Sequence, residues 1–244
     1  MSVDALLGGR VTIAQPDGGL RASLDPVLLA ATVDPPTSAT VLELGTGSGV
    51  ALACVRARRP DLTVIGVERD LALLPFAARN LATGQVVAAD VATLPLVAMA
   101  AWVLLNPPYH DPASSRPPRA DRQGAVQEAT PLGVWIAAAR QALIPGGRLS
   151  LIHRADRLPE VLAALTGFGQ LTVLPLWPRA GVPARRVLIG AVKGSRAPAC
   201  LLPGLVLHGE GAAFTPAAEE VLRDGAALPL LPNPAMLGAT VAKG

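Results

Sequence analysis

The sequence predicts an α/β protein with a Rossmann-like, doubly wound and mostly parallel seven-stranded sheet that carries an antiparallel edge strand. Two observations support this fold class. From Val41 onward, short apolar runs typical of buried strands alternate with helical segments, and a glycine-rich turn joins the first strand to its helix. The 244 residues are 51% hydrophobic and 16% charged, which allows a sizeable core and excludes a disordered chain.

The elements follow from apolar periodicity and from the positions of glycine and proline. The first segment alternates like a short hairpin, and Asp25-Pro26 then reads as an N-cap and first helical residue. The last two strands have no helix between them, which predicts the antiparallel edge. Strands are predicted at 41–44, 62–68, 86–90, 101–106, 147–153, 171–176 and 186–192, and helices at 50–59, 70–81, 125–143 and 155–165.

Several classes of protein are excluded by what the chain lacks. The longest apolar stretch, Val91 to Leu105, is too short for a spanning helix, which needs about 20 residues. The N-terminus does not read as a signal peptide, so a soluble, cytoplasmic protein is expected. Cys54 and Cys200 are expected to be reduced packing residues. Neither they nor the three histidines have metal-ligand spacing, so no metal is implied.

A glycine turn and three acidic residues follow strands that a parallel sheet would place side by side. Gly45, Gly47 and Gly49 lie between a strand and a helix, where glycines let the backbone approach a ligand at the helix N-terminus. The alternative interpretation is that these glycines only form a structural turn and bind no ligand. Glu43 precedes this turn, and Glu68 ends the next strand, where a carboxylate can accept both hydroxyls of a ribose.

Asp90 ends the third strand and is the third acidic strand end. Its carboxylate is placed to accept a hydrogen from an adenine amine, or simply to cap a following helical turn. Taken alone, Glu68 would equally read as a solvated acid at a strand end. The combination with the glycine turn favours ribose binding.

The fourth strand ends in Asn106, Pro107, Pro108 and Tyr109, which is the most specific signal in the chain. Proline disfavours helix in the residue before it and removes a backbone donor, so the Asn106 side-chain oxygen and the Pro107 carbonyl can both face a ligand as acceptors. Two acceptors suit an exocyclic NH2 whose lone pair is delocalised, because they stabilise the positive charge that grows during methyl transfer. Tyr109 offers a flat face for stacking. A plain proline turn explains neither Asn106 nor Tyr109.

Together these features resemble the class I S-adenosylmethionine (SAM)-dependent methyltransferases, and VLELGTGSG at 41–49 is similar to that family's first motif. The resemblance implies SAM as the cofactor. It implies that Glu68 holds the ribose, that Asp90 holds the adenine amine and that Glu43 lies near the methionine end. The implied cofactor-binding residues are Glu43, Gly45, Gly47, Gly49, Glu68, Asp90 and Asn106.

The Asn-Pro-Pro-Tyr motif is shared by methyltransferases that act on adenine in nucleic acids and on glutamine in release factors. The flanking segments GGRVTIAQPDGGLRASLDPVLLAA, LSLIHRADRLPEVLAAL, RVLIGAVKG and LVLHGEGAAFTPAAEEVLR resemble the bacterial tRNA(Val) adenine-N6-methyltransferases. The resemblance covers roughly residues 7–223. It implies a tRNA partner, a target adenine beside the anticodon, and catalytic roles for Asn106, Pro107, Pro108 and Tyr109. His110 departs from the family, which more often has an aromatic residue there.

The same resemblance suggests three parts: an N-terminal hairpin and helix at 1–40, the methyltransferase domain at 41–195, and a C-terminal extension of strand, short helix and tail at 196–244. The net charge is +3, and only Lys193 and Lys243 of the 21 basic residues are lysines. Arginine suits phosphate through its planar donor fork. The residues expected to meet RNA are Arg116, Arg119, Arg122, Arg185 and Arg186, with Tyr109 for the base.

Two other functions fit parts of the pattern. A glutamine or other amide methyltransferase would use the same motif on a protein, but the segment before Val41 is short for a separate recognition domain. A SAM-binding module without catalysis is the other alternative, and the intact motifs argue against it.

Overall fold

Strands with apolar residues on both sides build a central sheet that helices cover on both faces. The computed structural model describes residues 1–17, 23–108 and 130–230. The strands are β1 (Ser2–Leu6), β2 (Val11–Gln15), β3 (Thr40–Leu44), β4 (Thr63–Glu68), β5 (Gln85–Ala88), β6 (Ala100–Leu105), β7 (Leu143–Arg154), β8 (Phe168–Trp177), β9 (Arg186–Lys193), β10 (Cys200–Leu201) and β11 (Leu205–Val206). The helices are α1 (Leu24–Ala31), α2 (Val50–Arg58), α3 (Leu74–Leu81), α4 (Leu132–Ala142), α5 (Leu158–Ala164) and α6 (Pro216–Leu222).

The sheet order in the described residues is β10–β8–β9–β7–β6–β3–β4–β5, and β11 also pairs with β8. All of these pairs are parallel except those of β9, which runs antiparallel to both β7 and β8. The mostly parallel, doubly wound α/β prediction is confirmed. Two details differ: the short strands β10 and β11 add to the seven, and the antiparallel strand lies inside the sheet rather than at its edge.

Alternate residues along each strand face two separate cores, because side chains in a strand point to opposite sides. Val41 and Leu104 face the core under α1, α2, α6 and the β1–β2 hairpin. Leu42 and Leu105 face the core under α4 and α5. The hairpin, α6 and the central strands share the first core, so the hairpin and α6 are packed onto the sheet.

Several helices begin later or earlier than the sequence pattern predicts. The N-cap of α1 is Ser23, not Asp25, which lies in the first turn with Pro26. Proline is tolerated there because first-turn N–H groups have no intrahelical partner. Helix α3 begins at Leu74 rather than 70, with a proline in its first turn. Of the helix predicted at 125–143, the structure describes 132–142 as α4, and 125–129 lie outside the described residues.

Candidate functional site

The glycine turn, Glu68, Asp90 and Asn106 meet at one edge of the sheet. Strands β6, β3, β4 and β5 are neighbours and run parallel, so their carboxyl ends all reach this edge, here called the carboxyl edge. In the register of β3 and β6, Leu44 lies opposite Leu105, which brings the residues that follow them side by side. The chain leaves β3 toward β4 on one side and returns as β6 on the other, and such a switch point is where doubly wound sheets bind ligands.

The glycine turn adopts backbone conformations that other residues disfavour. Gly45, Gly47 and Gly49 have φ values of 72°, 58° and 82°. The N–H groups of Gly45 and Thr46 both donate to the carbonyl of Val67 on β4, at 2.8 and 2.9 Å. Gly49 is the N-cap of α2. The turn is therefore tied to the neighbouring strand and opens directly into a helix, as predicted.

Glu43 is buried beneath the turn and is not among the residues that line the cleft. The hydroxyl of Thr46 donates a hydrogen bond to its carboxyl oxygen at 2.7 Å. Burial raises the pKa of Glu43 to about 8, although the bond from Thr46 opposes the shift; the nearby charge of Glu68 adds to it. The Glu43 carboxyl consequently holds its proton at neutral pH and supports the turn from below.

Two backbone N–H groups donate hydrogen bonds to the Glu68 carboxylate. Its Oε2 accepts from the N–H of Gly47 and its Oε1 accepts from the N–H of Asp70, both at 2.8 Å. These bonds fix the carboxylate at the end of β4 in contact with the glycine turn. Each oxygen keeps a second lone pair, which can accept from a ligand hydroxyl.

Asp90 caps the turn that follows it, which is one of the two roles that the sequence left open. Its Oδ1 accepts from the N–H of Ala92 at 2.9 Å and caps a short 3-10 turn. Its Oδ2 lies 3.5 Å from Nη1 of Arg69, which also lies 3.5 Å from the Thr130 hydroxyl. Asp90 and Arg69 both line the cleft.

A cleft of about 740 Å³ opens at the carboxyl edge, within the range of about 300–1,000 Å³ that small-molecule sites occupy. Trp135 of α4 forms a wall that the sequence reasoning missed: a Cβ on Gly45 would lie 2.7 Å from its ring. No local sequence signal places Trp135 there. The cleft is lined by Gly45, Val67, Glu68, Arg69, Asp70, Leu71, Leu73, Ala89, Asp90, Val91, Pro108, Thr130 and Trp135.

The residues after β6 reach the cleft from the side opposite β4. Asn106 is half-buried, Pro107 is buried, and Pro108 is exposed and lines the cleft. Tyr109, Arg116, Arg119 and Arg122 were predicted to act here, but they lie outside the described residues.

Arg185 and Arg186 lie at the start of β9, which is also at the carboxyl edge because β9 begins beside the end of β7. Arg186 pairs with Asp25, with its Nε 3.0 Å from Oδ2. Arg185 is exposed, and its carbonyl accepts from the N–H of Ala155. Neither arginine is among the residues that line the cleft.

The described residues hold no cluster of His, Cys, Asp or Glu side chains of three or more that would suit a metal ion. Among the same residues, no helix combines the length and apolar character that crossing a membrane requires. The donor and acceptor set in the cleft suits a nucleoside, because two carboxylates stand at adjacent strand ends.

A crevice with this donor and acceptor set, beside an Asn-Pro-Pro segment, is suited to a nucleoside-bearing methyl donor, and the chain is a SAM-dependent methyltransferase. It belongs to the methyltransferase small domain family, whose model matches residues 22–174. That match spans more than half of the chain and includes every strand of the cleft.

Known proteins with similar sequences and structures include methyltransferases with different named substrates. The tRNA1(Val) (adenine(37)-N6)-methyltransferase of Porphyromonas gingivalis is 28% identical over 176 residues, 66% of this chain and 69% of that protein. The release factor glutamine methyltransferase of Burkholderia pseudomallei is 30% identical over 158 residues, 56% of this chain and 55% of that protein. The crystal structure of a predicted O-methyltransferase, Atu636 from Agrobacterium tumefaciens, has a TM-score of 0.71 and 30% identity, covering 84% of this chain and 98% of its own.

Proposed function

We propose that this enzyme transfers a methyl group from SAM to N6 of an adenine in tRNA, beside the anticodon of a valine tRNA. The observation that carries the proposal is the position of Asn106-Pro107-Pro108, which follows β6 at the switch point beside Gly45. A relative named for this reaction matches two-thirds of the chain, which supports the choice of substrate.

The acceptor groups after β6 suit a weakly nucleophilic amine. In this proposal the Asn106 side-chain oxygen and the Pro107 carbonyl accept the two N6 hydrogens of adenine. Accepting them favours a pyramidal nitrogen with its lone pair free, and stabilises the positive charge that develops on it. Bound SAM supplies an electrophilic methyl group whose bond to sulfur breaks as the new N–C bond forms. The methylated nitrogen then releases a proton to water, so no side-chain base is required.

The target base has to leave its stack to reach this position. Tyr109 follows Pro108 directly and is assigned the stacking wall for the base.

The cofactor-binding roles follow from the positions of the acidic side chains. Glu68 is assigned the ribose hydroxyls, because both its oxygens are held at the cleft by backbone N–H groups and keep free lone pairs. Asp90 is assigned the adenine amine through Oδ2, since Oδ1 caps the following turn. Gly45, Gly47 and Gly49 shape the turn against the cofactor. Glu43 is assigned to the methionine end through its bond to Thr46.

Arginines at the carboxyl edge are assigned to RNA phosphates. Arg185 is exposed at the start of β9, and Arg186 is half-buried there. The net charge of +3 and the preference for arginine over lysine support an anionic partner. Arg116, Arg119 and Arg122 are assigned the same role on sequence grounds. With tRNA as the substrate, the enzyme works in the cytoplasm.

The three-part organisation also stays a proposal: 1–40, 41–195 and 196–244. The hairpin packs on α2 and α3, and α6 packs on α1 within the same core as the central strands. This shared core supports extensions of one catalytic unit rather than separately folded domains.

A glutamine methyltransferase is the second candidate, favoured by the similarity to the release factor enzyme. The two functions separate in one experiment. The protein is incubated with methyl-labelled SAM and either a valine tRNA transcript or a purified release factor, and the product is digested and identified by mass spectrometry. N6-methyladenosine in the transcript supports the tRNA assignment, whereas methylglutamine in the release factor with unlabelled RNA overturns it. A transcript with guanine in place of the adenine beside the anticodon is the matched control and should stay unlabelled.

Replacing Asn106 by alanine tests the mechanism. At saturating SAM, Asn106→Ala should lose turnover by about 100-fold or more, as removing a charge-stabilising group typically does, whatever the change in its Kd for S-adenosylhomocysteine. Asn106→Asp keeps an acceptor oxygen and should lose less. Turnover of Asn106→Ala within tenfold of wild type contradicts the proposed role.

A further inference from the structure

One side chain joins the N-terminal hairpin to the glycine turn. Asn80 lies in the last turn of α3 and is half-buried. Its Oδ1 accepts from the N–H of Ala14 at 2.9 Å, and its Nδ2 donates to the carbonyl of Ala14 at 2.9 Å and to the carbonyl of Ser48 at 2.8 Å. Both amide hydrogens and the amide oxygen are thus used on backbone groups of two separate segments.

The bonds to Ala14 complete the outer side of β2. Ala14 lies opposite Val3 in the hairpin register, and its N–H and carbonyl both bond Asn80. Backbone groups on the outer side of a two-stranded hairpin need partners. The Asn80 amide supplies both at Ala14, in the manner of a third strand.

The bond to Ser48 acts on the second half of the glycine turn. Ser48 stands between Gly47 and Gly49, and glycines on both sides give the adjoining peptide groups more than one accessible orientation. Gly45, Thr46 and Gly47 are fixed to β4 through their N–H groups. The peptide group between Ser48 and Gly49 is held differently: its N–H donates to the carbonyl of Thr46 inside the turn at 2.8 Å, and its carbonyl accepts from Asn80.

We propose that Asn80 is a positioning residue for the cofactor: it orients the Ser48 carbonyl and thereby holds the second half of the glycine turn in the shape that binds SAM. Asn80 does not line the cleft and acts through Ser48. The inference rests on the glycine turn as the cofactor site and does not depend on the choice of tRNA as substrate.

Two substitutions at Asn80 distinguish the loss of its hydrogen-bond donors from the loss of its side-chain shape. Asn80→Ala removes all three bonds. Asn80→Asp keeps the shape but loses both donors and places a carboxylate against the carbonyls of Ala14 and Ser48. Both variants should raise the Kd for S-adenosylhomocysteine, measured by calorimetry, by about tenfold or more, which corresponds to the loss of roughly one good hydrogen bond in the turn.

Arg58→Met is the matched control for a merely structural role. Arg58, at the other end of α2, also bridges two segments through backbone carbonyls: it donates to Ala30 at 2.6 Å and to Gly225 at 2.8 Å. This variant should lower Tm while leaving the Kd for S-adenosylhomocysteine within twofold of wild type. Equal losses of affinity in Arg58→Met and Asn80→Ala would overturn the proposal.

Hydrogen exchange gives a second measurement, which needs only one of the two Asn80 variants to fold. In whichever Asn80 variant folds, a peptide covering residues 45–52 should exchange faster than in wild type, while peptides from β7 and β9 keep their protection. Faster exchange spread evenly over the chain, or a Kd within twofold of wild type in a folded variant, overturns the role of Asn80. The binding measurement uses no methyl acceptor, so an unmethylated tRNA would affect the proposed function alone.

Discussion

Replacing Glu43 by glutamine should remove a large part of the pH dependence of stability. Burial raises the pKa of Glu43 from 4.5 to about 8, so the folded protein keeps this proton at pH values where the unfolded chain has released it. A raised pKa of an acid stabilises the unfolded state relative to the folded one as pH rises. The contribution of Glu43 to the free energy of unfolding is therefore greatest below about pH 4.5 and falls progressively as the pH approaches 8.

The size of the effect follows from the two pKa values. One unit corresponds to about 1.4 kcal/mol, so the full difference between 4.5 and about 8 costs about 5 kcal/mol once the pH is above 8. Between pH 5 and pH 9 the change is about 4 kcal/mol, most of it below pH 8. Glutamine has nearly the same shape, can accept the Thr46 hydrogen bond and carries no ionisable proton. The free energy of unfolding of Glu43→Gln should therefore not show this fall with pH.

The assay is denaturant unfolding of wild type and Glu43→Gln at pH 5, 7 and 9. The free energy of unfolding of the variant minus that of wild type should rise with pH by about 4 kcal/mol over this range. Thr32→Val is the control, because it deletes a buried hydroxyl that bonds Ser150 at 2.8 Å and bears no ionisable proton. Its difference from wild type should stay constant. A Glu43→Gln curve parallel to wild type from pH 5 to 9 would refute the raised pKa.

Two glycine substitutions test the packing around the glycine turn, one against Trp135 and one against Thr46. Gly45→Ala places a Cβ 2.7 Å from the Trp135 ring at a φ of 72°, so the affinity for the cofactor, measured by calorimetry, should fall by about tenfold or more. Gly181→Ala is the control, because Gly181 has a similar φ and open space around it, and this variant should keep the affinity of the wild type. Gly66→Ala puts a Cβ 2.7 Å from the Thr46 side chain, so thermal unfolding should show a loss of about 1–3 kcal/mol; an unchanged Tm would mean that Thr46 moves without cost.

Local patterns in the sequence were sufficient for the fold class and for the positions of the main strands. Apolar runs and glycine or proline boundaries are short-range signals, and they located β3, β4, β6, β7 and the helices between them. The glycine turn and the strand-end acids were predicted for the same reason: a residue that ends a parallel strand reaches the carboxyl edge whichever strands adjoin it. Helix starts were less exact, because Ser23 and Leu74 depend on capping and proline placement that several neighbouring residues satisfy equally well.

Contacts between distant segments could not be read from such patterns. Trp135 meets Gly45 only because α4 packs on the face of the sheet beside β3. Arg186 meets Asp25 across 161 positions of sequence, so an arginine predicted for RNA is also an ion-pair partner of α1. Asn80 has no motif of its own, and its role depends on the hairpin lying next to the glycine turn.

The sequence by itself determined the class of chemistry, because the acceptor groups after parallel strands and the glycine turn before a helix are each formed by residues that are consecutive in the sequence. Only the tertiary structure decided that β9 enters between β7 and β8, that Glu43 is buried beneath the turn with a raised pKa, and which side chains wall the cleft. The physical reason is that burial and long-range pairing depend on which surfaces pack together, and that choice is made by the whole core rather than by any one segment.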